Sequence, residues 1–335
     1  MINRIRIYLR YWSQRLATLL RRVTLPGFQG VGIYDVMRFF FIGLFDSKFT
    51  LMAAAMSYNF FFSAVPALFL IYTSITYFPA EEWNMQEETK NYIEQFVPHN
   101  VYRLVEQIAT SEYASERQRG TIILGIFLTL YGATRGVIAM MKAFTKDVEG
   151  EDLFKRRNIF QLYGTAFLLF VVLAILLFLS ISVLIVGKSA IGFFQNAEFI
   201  GRGIESFLLN GLTFSITLIL LFLSVSLIYF LAPATKQRWK LLTPGGIVAG
   251  LLTFLTLIGY GYFIANITNF DQVYGSLGAI VLLMLLFYYI SMVLLIGFEL
   301  NAAIDLASYR QKEKQLAQPK SPQQQPLQVS DEWWN

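Results

Sequence analysis

The chain has 335 residues, 56% of them hydrophobic and 15% charged, which is too apolar for an ordinary soluble globule and points to a polytopic membrane protein. With no cysteine and one histidine, His99, disulfides, thiolate chemistry and a zinc site of the usual Cys/His type are excluded. The net charge of +5 comes from basic residues lying mostly between apolar runs, a pattern of membrane topology rather than of a nucleic-acid groove.

Residues 1–30 read as a basic amphipathic segment. Ile2, Ile5, Leu9, Trp12, Leu16, Leu19, Leu20 and Val23 recur at helical spacing among arginines. Such a helix lies in the membrane interface or packs on a bundle. No short apolar core with a small-residue cleavage site follows, so no cleaved signal is expected. After the Pro26-Gly27 break, Ile33 to Phe45 reads as a second interfacial helix, too short to span.

Six transmembrane helices are expected, over about 49–78, 121–141, 159–187, 206–232, 243–265 and 274–300. Five coincide with charge-free runs of spanning length. The other, 121–141, is apolar except for Arg135, whose placement mid-helix costs about 2.5–3.5 kcal/mol on insertion scales. Residues 81–119 read as two short amphipathic helices capping the outer face, with His99 at their junction. The segment 308–335, rich in Gln and Pro toward its end, reads as a disordered cytoplasmic tail. The fold class is therefore all-α, with a six-helix transmembrane domain over 31–307.

Charge orients the spans. Arg4, Arg6, Arg10, Arg15, Arg21 and Arg22 precede the first span, whereas the segment after it is acidic. Lys155-Arg156-Arg157 lies in the mixed loop that joins spans two and three. Lys236, Arg238 and Lys240 join spans four and five, and Arg310, Lys312 and Lys314 follow the last. The positive-inside rule puts both termini in the cytoplasm.

Ionisable residues inside a bilayer are candidate functional sites, because their burial must be compensated. Arg135 and Glu299 qualify. By this topology both lie toward the cytoplasmic ends of their helices and can pair, either as a structural clamp or as contacts for a polar head group. Tyr58, Asn59 and Asn301 are further candidate substrate contacts. Ser57, Tyr58, Asn59 and Asn210 read as buried polar groups in need of partners. Gly132-x-x-x-Gly136 and Gly246-x-x-x-Gly250 provide small-residue helix-packing motifs, extended by Gly275 and Gly278. Pro66 and Gly259-Tyr260-Gly261 mark possible helix breaks of the kind transporters use. Walker, Gly-x-Ser-x-Gly and His-Glu-x-x-His signatures are absent. No catalytic, metal or cofactor residue is assigned.

Several motifs in order carry a family resemblance. Met52-Ala-Ala-Ala-Met-Ser-Tyr-Asn-Phe-Phe-Phe-Ser-Ala-Val-Pro resembles a first-span pattern of the YihY/virulence factor BrkB membrane proteins. Pro233-Ala-Thr-Lys-Gln-Arg-Trp-Lys with Thr243-Pro-Gly-Gly resembles their basic loop before span five. Tyr274-Gly-Ser-Leu-Gly-Ala-Ile through Gly297-Phe-Glu-Leu-Asn-Ala resembles their last helix. The chain departs from the pattern at Phe144-Thr-Lys-Asp-Val-Glu-Gly, where the family usually has an Asn-centred turn. The resemblance implies a bacterial inner-membrane protein, linked with envelope integrity and with movement of lipids or lipid-linked molecules. The family has also carried a ribonuclease label. A hydrolytic nuclease needs metal-binding carboxylates or a His/Lys acid–base set in a wet cleft, and the sequence offers no such set.

The expectation is a non-enzymatic membrane protein that moves, or helps move, a lipid or other amphiphile. The alternatives are a scaffold that recruits an envelope protein partner and, disfavoured, a membrane-bound ribonuclease. Membrane lipids are the expected partners and nucleic acid is not. The oligomeric state is left open.

Overall fold

The computed structural model describes residues 15, 18–77, 118–146, 154–155, 157–196, 202–236, 238–266 and 276–317. Among them the architecture is helical: α1 Ile33–Leu44, α2 Ser47–Tyr77, α3 Gln118–Ala143, α4 Ile159–Asn196, α5 Arg202–Leu231, α6 Pro244–Asn266 and α7 Ser276–Ala317. The non-helical pairing described is one isolated antiparallel bridge, Phe154 to Thr235. The expected external helices with His99, most of the first seventeen residues, Gly275 and the tail from 318 lie outside the described residues.

Helix starts follow local chemistry. Asp46 caps α2, its carboxylate accepting the Lys48 N–H at 3.0 Å. Thr243 caps α6 by accepting the Gly246 N–H on its hydroxyl at 3.0 Å, and Pro244 occupies the first helical position, where no N–H is needed. At the other end of α5, Pro233 stops the helix by lacking a donor.

Four described helical stretches are long and apolar enough to cross a membrane: Ile159–Val183, Asn210–Leu231, Pro244–Ile264 and Ile280–Leu316. A fifth is obtained if α1 and the first part of α2 are taken as one bent pair. The expected six are thus matched by four or five among the described residues, while 121–141 is present as helix α3. Pro66 and Gly259-Tyr260-Gly261 do not interrupt their helices, since α2 and α6 are each continuous. The last helix also overruns its expected end. Helix α7 continues to Ala317, because Ala302 to Ala307 and the Arg310-Gln-Lys-Glu-Lys run are good helix formers with no proline before Pro319. Residues 308–317 are therefore helix rather than the start of a disordered tail.

The chain divides into two compact units, residues 1–41 with 302–335 and residues 42–301. In the first, Val23 and Ile33 are joined by a backbone hydrogen bond of 3.0 Å across a turn with Gly27, Gln29 and Gly30 at positive φ. Gly32 is required there: a Cβ would lie 2.7 Å from the Arg21 backbone. Gln29 donates to the Asp305 carboxylate at 2.8 Å, and the Arg310 guanidinium lies 5.0 Å above the Phe39 ring. Phe28, Val31, Val36, Ile304 and Ala307 are buried.

In the second unit α2 packs on α3, α3 on α4, α4 on α5 and α5 on α6. The α2–α3 contact passes over glycines. A Cβ at Gly132 would sit 3.3 Å from Ser63 Cα, and one at Gly136 would sit 3.3 Å from the Phe60 ring. Gly250 admits the Phe222 ring in the same way, with 2.6 Å to a would-be Cβ. Buried Tyr260, Leu283 and Leu286 join α6 to α7, flanked by Phe61, Phe287 and Ile290.

Candidate functional site

One end of the second unit gathers the end of α3, residues 154–155 and 157–158, the end of α5, the start of α6 and the 294–301 stretch of α7. Rings form its interior. Phe144 lies between Phe298, at 4.9 Å and 2° between planes, and Tyr229, at 5.6 Å and 19°. Trp239 closes on Phe298 at 5.8 Å and Phe154 on the same ring at 6.0 Å. Offset and tilted ring pairs of this kind contribute about 0.5–1.5 kcal/mol each beyond area burial. The Phe144 turn, where the sequence leaves the family pattern, thus carries the middle ring.

The buried polar groups of α5, α6 and α7 at this end have partners within the chain. The Tyr229 hydroxyl donates to the Leu294 carbonyl at 2.6 Å. Asn301 accepts the Gly245 N–H at 2.9 Å and donates to the Thr243 hydroxyl oxygen at 2.9 Å. It thereby secures the first turn of α6, whose leading N–H groups have no intrahelical acceptor. Gly245 and Gly297 let α6 and α7 touch at backbone distance: a Cβ on Gly297 would lie 2.5 Å from the Gly245 carbonyl oxygen and 2.7 Å from Ala249 Cβ.

Glu299 is buried, and its carboxylate takes Lys146 rather than Arg135. The Lys146 ammonium lies 2.6 Å from Glu299 Oε2, with side chains 26% and 11% exposed. A Cβ on Gly43 would strike that carboxylate and lie 2.8 Å from Lys146 Nζ. The two cations differ in depth along α3. Lys146 stands just past the end of α3 at Ala143, whereas Arg135 is eight residues before it, about 12 Å along the axis at 1.5 Å per residue.

Arg135 is exposed on α3 and donates through Nε and Nη2 to the Tyr131 hydroxyl at 3.0 and 2.8 Å, its guanidinium 5.2 Å from that ring's centre. Tyr163 of α4 is near enough to interact electrostatically with the same charge. The other candidates separate. Ser57 is buried and donates to the Met284 carbonyl at 3.3 Å. Tyr58 is exposed against Phe62 at 4.6 Å, and Asn210 is exposed, so neither is the buried group expected. Asn59 bonds back to the Ala55 carbonyl of its own helix at 2.8 Å. Gly246 lies at the α6 cap, and Gly278 is buried within α7. Among the described residues no group of three or more His, Cys, Asp or Glu is placed to hold a metal ion.

Lys146 and Tyr229 are not singled out from sequence, and Thr243 and Gly297 enter it only as parts of family-like motifs. Thr-Pro-Gly-Gly is a legible cap signal, but nothing in the sequence directs Lys146 to a carboxylate 153 residues away.

The sequence profile of the family described as Virulence factor BrkB matches residues 42–323. A protein of Bacillus subtilis (strain 168) named putative ribonuclease-like protein YfkH is 26% identical over 256 residues, covering 75% of this chain and 88% of that one. A UPF0761 membrane protein of Rhodospirillum centenum is 25% identical, covering 87% of this chain and 62% of its own length. One of Pseudoalteromonas translucida is 30% identical over 102 residues, 30% of this chain and 33% of that protein. No solved structure matches the chain.

Proposed function

We propose that this chain, which belongs to the virulence factor BrkB family and is a multi-pass membrane protein, moves or helps move a lipid or other amphiphile across a bacterial inner membrane with both termini in the cytoplasm. The observation that carries this reading is Arg135, an exposed guanidinium partway along an apolar helix, clasped by the hydroxyl and ring of Tyr131. A charge at that depth costs several kcal/mol unless it is partnered. Tyr131 meets part of that cost and leaves the cation facing outward.

The proposed chemistry is substitution of solvent. A polar head group crossing hydrocarbon loses hydration, which makes unaided movement slow. Arg135, Tyr131 and Tyr163 supply donors in place of water for part of the way. The tails remain against exposed apolar side chains such as Phe127, Leu128 and Phe167. Glu299 and Asn301 are then positioning groups of the helix junction rather than contacts for cargo. The reading contains no catalytic step and no cofactor; the word ribonuclease-like belongs to the name of the Bacillus relative.

Reconstitution into vesicles carrying head-group-labelled phospholipids tests this directly. Accelerated exchange between leaflets is expected, at least tenfold slower with Arg135→Ala at equal protein incorporation. No exchange of any envelope phospholipid would overturn the reading. Stable co-purification with an envelope protein would then favour a scaffold. RNA hydrolysis by the purified protein would instead overturn the non-enzymatic part.

A further inference from the structure

One cavity of about 250 Å³ in the second unit is lined by three basic residues, Lys142, Lys155 and Arg157, with Thr145, Met141 and Leu162 among its other walls. Each cation is set by a separate device. Lys142 stands in the last turn of α3. Lys155 is held by its backbone, whose N–H donates to the Ala234 carbonyl at 2.6 Å beside the Phe154–Thr235 bridge. Arg157 donates to the carbonyls of Leu231, Ala232 and Pro233 at 2.9, 2.9 and 3.2 Å, closing the C-terminal end of α5, where a cation suits the helix dipole.

These bonds use three of the five guanidinium N–H donors. Burial, and then the charge of Arg238, lowers the pKa of Arg157 from its usual value, so the site already holds more positive charge than its surroundings favour. Among the described residues neither Lys142 nor Lys155 has a carboxylate at ion-pair distance. Lys146, four residues beyond Lys142, has one. The cavity also sits where α4 begins and α5 ends, at the boundary of two candidate spans, the level of lipid head groups. Met141 and Leu162 provide apolar walls for what adjoins a head group. At about 30 Å³ per water the volume equals about eight waters, enough for a phosphodiester with its ester arms.

We propose that this cavity binds the phosphate of an anionic phospholipid, with Lys142, Lys155 and the remaining donors of Arg157 as ligands. Basic pockets between membrane helices act in this way through charge-assisted hydrogen bonds. Transbilayer movement is not required: a chain that binds lipid here without moving it satisfies the proposal, so failure of the exchange assay leaves it standing.

The test uses the full chain in phosphatidylcholine nanodiscs titrated with phosphatidylglycerol, reading retained lipid by native mass spectrometry. Lys142→Ala with Lys155→Ala should weaken retention about thirtyfold, at about fivefold per basic contact. Arg157 is left in place so that α5 keeps its cap. Lys312→Ala with Lys314→Ala, the same change in charge at the far end of α7, should leave retention within twofold. Should the double variant misfold, Lys155→Ala alone alters one exposed side chain and should cost about fivefold. Equal loss in both pairs would overturn the proposal, as would tight uptake of inorganic phosphate without lipid. Retention appearing only after Asp147, Glu149, Glu151 and Asp152 are all neutralised would overturn it too, by assigning the cations to the chain's own acids.

Discussion

The Glu299 junction and the Lys142–Lys155–Arg157 cavity belong to the same unit and both contain ionisable groups, yet their polar groups are matched in opposite ways. At the junction Glu299 has Lys146, Asn301 has Gly245 and Thr243, and Tyr229 has Leu294. Three basic residues line the cavity, and none of them has a carboxylate at ion-pair distance among the described residues. A satisfied buried network rigidifies a helix junction. A set of like charges beside open volume has unmet electrostatic potential that a ligand can meet. Charge inside a membrane protein is therefore not by itself a mark of function; the distinction lies in whether the partner is already part of the chain.

The largest effect that would break this contrast is steric. Gly245→Ala places a Cβ against the Gly297 carbonyl oxygen and 2.6 Å from Asn301, where backbone cannot yield. A loss of about 3 kcal/mol or more is expected, at the upper end of overpacking costs, read as a fall in thermal midpoint in detergent. Lys146→Ala should follow. It leaves the Glu299 carboxylate buried without a cation, and about 2 kcal/mol is expected, below the 3–5 for a fully buried pair because Lys146 is 26% exposed. Lys146→Met with Glu299→Gln should recover most of that loss, whereas combining Arg135→Ala with Glu299→Gln should bring no change beyond the sum of the two single changes. Coupling between Arg135 and Glu299 in that cycle would restore the pair that the structure separates.

Asn301→Ala should cost about 1–3 kcal/mol by leaving the buried Gly245 N–H without its acceptor, again measured by melting. None of these junction variants should alter lipid retention in the folded fraction, which sharpens the contrast from the other side. The smallest effect is expected at Ser291. Its hydroxyl is fully buried with no partner among the described residues, so Ser291→Ala should be neutral or slightly stabilising, within about 0.5 kcal/mol.

Much of the helical content was legible because hydrocarbon leaves a spanning chain few options. Backbone groups must be satisfied within the segment, so apolar runs of spanning length become helices. The residues around Pro244 could be read the same way, since Thr-Pro at a helix start satisfies local donor chemistry. What periodicity did not show was depth and direction. Arg135 and Glu299 looked level because each sits toward the same end of an apolar run. A separation of eight residues from the end of α3 is about 12 Å, however, and that removes any chance of contact. The exposure of Tyr58 and Asn210 was likewise outside its reach, since in a helix hydrophobic all round no apolar stripe tells which side faces a neighbour.

The sequence by itself determined the solvent, the class of fold and most helix limits, because length and apolarity are properties of a segment alone. It also placed the basic residues near the helix ends, where charge avoids hydrocarbon. Only the tertiary structure decided which cation meets Glu299 and which three cations share a cavity. Those pairings join residues up to 153 positions apart, and they depend on how neighbouring helices are aligned along their axes. Close approach at Gly245 and Gly297 and the ring stack at Phe144 maintain that alignment at the α6–α7 end. A one-turn slip, about 5.4 Å, would exchange every partner while leaving each helix unchanged.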